Sequence, residues 1–511
     1  MNWDQLFTGL VQIFHIENFV FIAFGVLIGI IFGAIPGLSG NLAMVIFLPF
    51  TFSLNPVTGI SMLMAIYCGG AYGGSISAIL LGTPGSNESA ATVLDGYPLA
   101  KKGYGRKALE IALVASTIGG MLSAFALLFF APVISRLTLN FASPEYFMLA
   151  VFGLSIISGV SGESLLKGLF AGCIGIMVSM IGMDELSGVS RFTFGNVNLL
   201  SGVNLIAMML GLFAIPIIVG KIENKEYELH ANDLVSMKNK EGLTRQEFRR
   251  LLRPIFKSSL IGIGIGALPG TGAAVASFIS YNETKRSSKY PQEFGKGSIE
   301  GIAAPEAGNN AVTGAALIPL LTLAIPGSAA VATLIGALTM HGLVPGPQLF
   351  QTQGVTMYSI MFCLVFANIL MLVLGKCLSR FFAKVTQVPQ MLLMPILMIF
   401  CFAGAYAAKA TSFNIFVLVI AGIVSYGLGK LGIPHVPLLL GVILGPIAET
   451  NLRNSLTMSN GTWSIFVTRP ISLAILLLTV VLVVVLKRQD KKLKVSANLE
   501  SLSGGEENEE A

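Results

Sequence analysis

Two five-residue motifs, Gly33-Ala34-Ile35-Pro36-Gly37 and Gly266-Ala267-Leu268-Pro269-Gly270, lie 233 residues apart, each inside an apolar stretch long enough to enter a bilayer. Proline lacks an N–H donor and glycine is conformationally loose, so each motif interrupts a helix. At membrane depth an interruption frees backbone groups that lipid cannot satisfy, and it survives only where protein encloses it or it lines a cavity. A pair of such breaks in corresponding places of two halves points to the binding site of a secondary transporter.

The rest of the composition agrees with a membrane setting. Of 511 residues, 54% are hydrophobic and 11% charged, against about 25% charged in soluble domains. Apolar runs of roughly twenty residues recur along the whole chain, the signature of an all-α polytopic membrane protein. No Lys or Arg precedes Lys101, which argues against a nucleic-acid partner for that region. The first residues carry Asp4 and Glu17 and no positive n-region, so no cleavable signal peptide is expected and the first apolar stretch is retained. Five cysteines (Cys68, Cys173, Cys363, Cys377, Cys401) lack paired spacing and read as buried helix thiols. The four scattered histidines form no HExxH or Cys/His cluster, so no metal site of that kind and no enzymatic cofactor is expected.

About 11 transmembrane helices are expected, near 57–81, 108–134, 145–160, 164–183, 203–220, 300–324, 355–383, 391–407, 411–429, 433–450 and 470–486. The stretches 19–52 and 258–281, broken at their Pro-Gly pairs, read as re-entrant hairpins, with Pro269-Gly270-Thr271-Gly272 at the tip of the second. A further re-entrant segment falls near 326–345. The polar segment 221–253 holds eight Lys/Arg and six Asp/Glu. Placing it and the other basic clusters (Lys101 to Lys107; Lys285 to Lys296; Lys376 to Lys384; Lys487 to Lys494) in the cytoplasm closes the topology without contradiction. The C-terminus is then cytoplasmic, and the two hairpins open to opposite sides.

Domain organisation follows: an amphipathic N-terminal segment, 1–18; a first inverted repeat, 19–220; a cytoplasmic linker, 221–257; a second inverted repeat, 258–450; an extra helix, 451–486; and a polar, disordered tail, 487–511. A second echo supports the repeat: Leu81-Gly82-Thr83-Pro84-Gly85-Ser86 follows one crossing, and Leu323-Ala324-Ile325-Pro326-Gly327-Ser328 follows its counterpart.

Glycines at the breaks let a ligand approach the backbone. Helix N-termini after a break offer N–H donors and the positive dipole end, which suits carboxylates. The substrate-contact candidates are Gly37, Ser39, Gly40 and Asn41; Thr83, Gly85, Ser86 and Asn87; Gly270, Thr271 and Gly272; and Pro326, Gly327 and Ser328. Glu306, with Asn309 and Asn310, is the candidate for cation coupling, because an ionisable group within a crossing is costly. Three roles stay open to Glu306: cation ligand, proton carrier or structural pair. Glu300 reads as structural, and Glu163, Asp184 and Glu185 as solvated at helix ends.

Gly33 to Asn41, the block from Tyr72-Gly73-Gly74-Ser75 to Asp95-Gly96-Tyr97-Pro98, the tip Gly266 to Gly272, and Gly301 to Val312 followed by Pro326-Gly327-Ser328 together resemble the large membrane subunit (TctA family) of the tripartite tricarboxylate transporters, over roughly residues 10–490. The resemblance implies a bacterial inner-membrane importer of citrate-like or other small carboxylates, driven by a Na+ or H+ gradient. It also implies two partners, a small membrane subunit and a periplasmic solute-binding protein. The absence of a GxxxxGK[ST] loop agrees with a machine that does not hydrolyse nucleotide. The clustering of breaks in four elements suggests elevator-type alternating access, with Na+ near the hairpin tips left open. A passive anion channel is the main rival; an intramembrane enzyme and a non-transporting scaffold subunit are weaker ones.

Overall fold

The structure, a computed structural model, describes residues 3–138, 141–155, 165–184, 186–223, 241–270, 272–346, 348–386, 388, 390–481 and 483. Thr271, Glu163, Glu185, residues 224–240 of the linker 221–257 and the tail 487–511 lie outside the described residues.

The chain is built of helices. The first part contains α1 (Trp3–Ile13), α2 (Ile16–Ala34), α3 (Gly40–Thr51), α4 (Pro56–Leu80), α5 (Ala90–Leu99), α6 (Gly105–Leu137), α7 (Ser143–Ser155), α8 (Leu165–Ser179), α9 (Leu205–Met209) and α10 (Ile215–Glu223). The second contains α11 (Arg245–Gly266), α12 (Gly272–Ser287), α13 (Ile299–Ala315), α14 (Leu317–Leu323), α15 (Ala329–Met340), α16 (Gly354–Cys377), α17 (Ser379–Val385), α18 (Gln390–Ala407), α19 (Phe413–Lys430), α20 (His435–Met458) and α21 (Pro470–Val481).

Seven helical stretches among the described residues are long and apolar enough to cross a membrane: Ile16–Ala34, Pro56–Leu80, Asn87–Leu137, Leu205–Glu223, Gly354–Cys377, Phe413–Lys430 and His435–Met458. Other expected crossings are shorter helices. The one expected at 300–324 is divided at Ala316 into α13 and α14. The first hairpin is unequal: α2 has 19 residues, a bilayer's span, while α3 has 12.

Local chemistry sets many of these boundaries. Helix α3 starts at Ser39, whose hydroxyl accepts the Leu42 N–H at 3.2 Å. Asn55 caps α4 ahead of Pro56, Ser298 caps α13 and Ser328 caps α15. Thr244 and Glu247 form a reciprocal capping box at the start of α11.

The chain forms two compact units, Met1–Asn140 with Val203–Lys430, and Phe141–Gly202 with Leu431–Ala511. In the first, α4 packs along α2 and against α3, and α13 packs along α11 and against α12. Helix α6 lies on α13, α16 on α4, and α6 on α16. Small residues permit the closeness: a Cβ on Gly40 would stand 2.9 Å from the Gly70 Cα. In the second unit, α20 packs on α7 and α8. There a two-stranded hairpin, Gly182–Met183 against Ser190–Arg191, follows α8. Asp184 does not stand free in solvent as expected from its place at a helix end. Its side chain is 7% exposed and pairs with Arg191, seven residues on, at 2.6 Å and with Arg453, remote in sequence, at 2.9 Å. All five cysteines are free thiols, and Cys173 and Cys377 are exposed rather than buried.

Candidate functional site

A cavity of about 400 Å³ lies in the first unit, where four interruptions of the chain meet. The first break contributes Gly37 to Asn41 and the second Gly266, Leu268, Gly272 and Ala273. The two Pro-Gly-Ser segments contribute Gly85 to Glu88 and Gly327 to Ala330. One wall is α4 (Tyr67, Gly70, Ala71) and another α13 with its end (Asn309, Val312, Thr313, Ala316).

Three α-helices begin at this cavity, α3 at Gly40, α12 at Gly272 and α15 at Ala329, with a 3-10 turn at Asn87–Ser89. The first N–H groups of a helix have no intrahelical acceptor. The Ser39 carbonyl accepts from Ala43 N at 3.1 Å, and the Ser328 carbonyl from Ala332 N at 2.9 Å. Their hydroxyls accept from Leu42 N and Val331 N. The amides of Gly40, Asn41, Ala329 and Ala330 remain as the first-turn donors at the wall. Each long helix adds the positive end of its dipole. Among the described lining residues there is no Lys or Arg. The cavity wall can therefore offer an anion backbone N–H groups and neutral side chains.

Backbone geometry makes the breaks. Gly37 has φ of 76°, a conformation L residues rarely adopt, and a Cβ there would meet the Lys221 ammonium. Lys221, itself buried, donates to the Pro36 carbonyl at 3.3 Å, so a carbonyl at the break accepts from a cation. The interruptions also brace one another. Thr333 donates to Asn41 Oδ1 at 3.1 Å, Gly85 N donates to the Gly74 carbonyl at 3.2 Å, and a Cβ on Gly327 would stand 3.5 Å from the Pro269 Cα.

Of the expected contact residues, Gly37, Ser39, Gly40, Asn41, Gly85, Ser86, Asn87, Gly272, Gly327 and Ser328 line this one cavity. Thr83, Gly270 and Pro326 do not. Asn309 lines it; Glu306 and Asn310 are buried behind it in α13. Glu306 is wholly buried and accepts from the Thr92 hydroxyl at 2.5 Å and the Ser116 hydroxyl at 2.8 Å, with Ser75 beside it. No ion pair to Glu306 occurs among the described residues. Asn309 Nδ2 donates to the Ala71 carbonyl at 3.2 Å. Its Oδ1 and both polar side-chain atoms of Asn310 are buried without a partner among the described residues.

Tyr67 and Glu88 also line the cavity and were not anticipated. Tyr67 sits in an apolar run whose hydrophobicity hides its direction. Glu88 follows Pro84-Gly85-Ser86-Asn87 directly, and that adjacency was the available signal. Asp95 is likewise unanticipated as a clamp. Fully buried, it accepts from Gly297 N at 2.8 Å, Ser298 N at 2.7 Å and the Tyr281 hydroxyl at 2.9 Å, tying α5 to the start of α13 and to α12. Glu300 pairs with Arg250 at 2.7 Å.

The model of the tripartite tricarboxylate transporter TctA family matches residues 19–440. Two proteins of Agrobacterium vitis are similar. One, described as an uncharacterized 52.8 kDa protein in the TAR-I ttuC' 3' region, is 35% identical over 469 residues, covering 92% of this chain and 93% of that protein. The other, described as an uncharacterized protein in the TAR-II ttuC' 3' region, is 38% identical over 220 residues, covering 43% of this chain and 91% of that protein. No solved structure matches.

Proposed function

The chain belongs to the TctA family, the large membrane subunits of tripartite tricarboxylate transporters, and from that premise we propose that it imports a small organic carboxylate across the bacterial inner membrane, using a cation gradient. It is a multi-pass membrane transporter subunit and not an enzyme. Its partners in this reading are a small membrane subunit and a periplasmic solute-binding protein that delivers the substrate.

The observation that carries the reading is the convergence of helix starts on one cavity free of Lys and Arg among its described lining residues. Its volume, about 400 Å³, falls in the range of small-molecule sites, roughly 300–1,000 Å³. In this reading the substrate carboxylates take the amides of Gly40, Asn41, Ala329 and Ala330 together with Ser39, Ser86, Asn87 and Ser328. Peptide dipoles replace the water that an anion sheds on leaving solution.

Coupling is assigned to the α13 group, Glu306 with Asn309 and Asn310. A buried carboxylate with hydroxyl donors and no counter-ion needs a proton or a metal cation to be neutral. The Asn309 and Asn310 side-chain oxygens without partners offer acceptors to Na+.

Transport would proceed by elevator-type alternating access, the four interrupted segments moving as one body. Support comes from their meeting at one cavity inside a single compact unit, and from the like order of elements in the two halves: α2, α3, α4 and Pro84-Gly85-Ser86 against α11, α12, α13 and Pro326-Gly327-Ser328.

The test is uptake into proteoliposomes holding both membrane subunits and supplied with the binding protein. Di- and tricarboxylates are offered under imposed Na+ or H+ gradients. Uptake should follow one gradient, and Ala329→Trp, which fills the cavity, should reduce it to background in a folded protein. Uptake indifferent to both gradients would return the pore reading; full uptake by Ala329→Trp would remove the cavity from the pathway.

A further inference from the structure

Among the described residues lining the cavity, Glu88 carries the only formal charge, and it is negative. It stands half-buried in the turn Asn87–Ser89, beside Tyr67, whose hydroxyl faces Ser328. No hydrogen bond or ion pair engages its carboxylate among the described residues. A cavity otherwise furnished to attract an anion thus holds one acidic wall.

An ionised carboxylate accepts hydrogen bonds and donates none. A plain dicarboxylate held by the helix N-termini meets Glu88 with like charge and leaves its acceptor oxygens unfilled. A carboxylate with an O–H or N–H next to it can turn that donor to Glu88 and form a charge-assisted bond. Sites built around such a bond reject analogues that lack the donor. A metal cation on Glu88 is the competing occupant. The described residues gather no group of three His, Cys, Asp or Glu that could hold one, and no second carboxylate lines the cavity. The donor reading is therefore the stronger.

We infer that Glu88 determines specificity, making this cavity select carboxylates that bear a hydroxyl or ammonium donor beside the carboxylate over plain carboxylates of the same skeleton. The inference rests on the cavity being the substrate site.

Binding to the membrane complex in nanodiscs tests it with pairs differing only in the donor: succinate against malate and aspartate, and tricarballylate against citrate. The wild type should prefer the donor-bearing member of a pair by about tenfold or more, the size of one hydrogen bond to a charged group. In Glu88→Ala the preference should fall to about twofold or less. Glu88→Gln, which keeps an acceptor oxygen without the charge, should retain preference for hydroxyl and lose it for ammonium. A wild type that does not discriminate overturns the inference, as does a preference unchanged in Glu88→Ala. A changed Na+ requirement in Glu88→Ala with the preference intact also overturns it and gives Glu88 to the cation. Ala329→Trp separates the two levels. If it binds every compound as the wild type does, the cavity is not the substrate site and both claims fall. If it abolishes binding while Glu88→Ala leaves the ratios alone, only the specificity claim falls. Binding of none of the five compounds by the wild type overturns both.

Discussion

Asp95 illustrates how much a single buried side chain can organise. Its carboxylate receives two backbone N–H groups at the start of α13 and the Tyr281 hydroxyl from α12. Asp95→Asn keeps the shape and an oxygen for the two backbone N–H groups, but it removes the charge that strengthens all three bonds and sets an NH2 against the Tyr281 hydroxyl, at a cost of about 1–3 kcal/mol. We expect the substitution to destabilise the protein by about 3 kcal/mol, read as a lowered unfolding midpoint, and Tyr281→Phe by about 1 kcal/mol. The two losses should not add, because they share a bond; strict additivity would show that the contact does not form. Backbone strain gives a second pair with opposite signs. Gly37 stands at φ of 76°, where a methyl group is strained and would displace the Lys221 ammonium, whereas Ala324 adopts φ of 58° with a methyl group already present. Gly37→Ala should lower the melting temperature by the equivalent of about 1–2 kcal/mol, and Ala324→Gly should be neutral or raise it. A stabilised Gly37→Ala would mean that the first break is not a left-handed turn.

At the scale of elements, the hairpin after α8 depends on charge. Its Asp184 is held well below the usual carboxylate range, first by the Arg191 hydrogen bond, then by Ser187 and Arg453. A carboxylate whose folded value is depressed stabilises the fold above its unfolded value of about 3.9, and the contribution fades as pH falls from there toward the folded value. Amide exchange reads this directly, since Met183 N donates to the Leu200 carbonyl and Asp184 N to that of Val189. Protection there should be steady at neutral pH and decline below about pH 4; in Asp184→Asn it should start lower and change little with acid. The same network marks what a linear chain conceals. Arg191 is only seven residues from Asp184, but a hairpin of two-residue strands has to bring it back, and Arg453 lies in a helix far along the chain, so the pairing could not be read from the sequence around Asp184. Ser39 and Ser328 stand out in the sequence beside their Pro-Gly pairs as candidate contacts, and their capping role is the local kind of interaction, since a cap acts on residues two or three places along. The number of crossings was less legible. The division at Ala316 falls between Gly314 and Pro319 with no Pro-Gly pair, and helix length depends on what the neighbours bury. The cavity wall on α4 was not legible either, because every turn of that helix is apolar and packed, and only packing selects Tyr67 to face inward.

For the whole molecule, the pattern of packing is itself an argument about symmetry. Helix α20, from the second half of the chain, packs on α7 and α8 from the first. The stretch from α9 to α10, closing the first half, packs on α18 and α19 from the second. Each half therefore lends its closing helix to the other, and α6 lies on α13 as α16 lies on α4. Exchanges in matched pairs are what a two-fold relation between halves requires, and they are invisible to motif spacing, which suggests a repeat only through its breaks. If one ligand is gripped by both halves, Ser86 and Ser328 occupy matched places around it. With Cys68, Cys173, Cys363, Cys377 and Cys401 replaced, cysteines at Ser86 and Ser328 should both react with a small thiol reagent in the empty protein. Both should be protected by the best-transported carboxylate, each at the concentration that half-saturates uptake. Helix N-termini from the two halves would then be shown to share one anion. Protection of only one position would assign the ligand to a single half and leave the second Pro-Gly-Ser segment as packing.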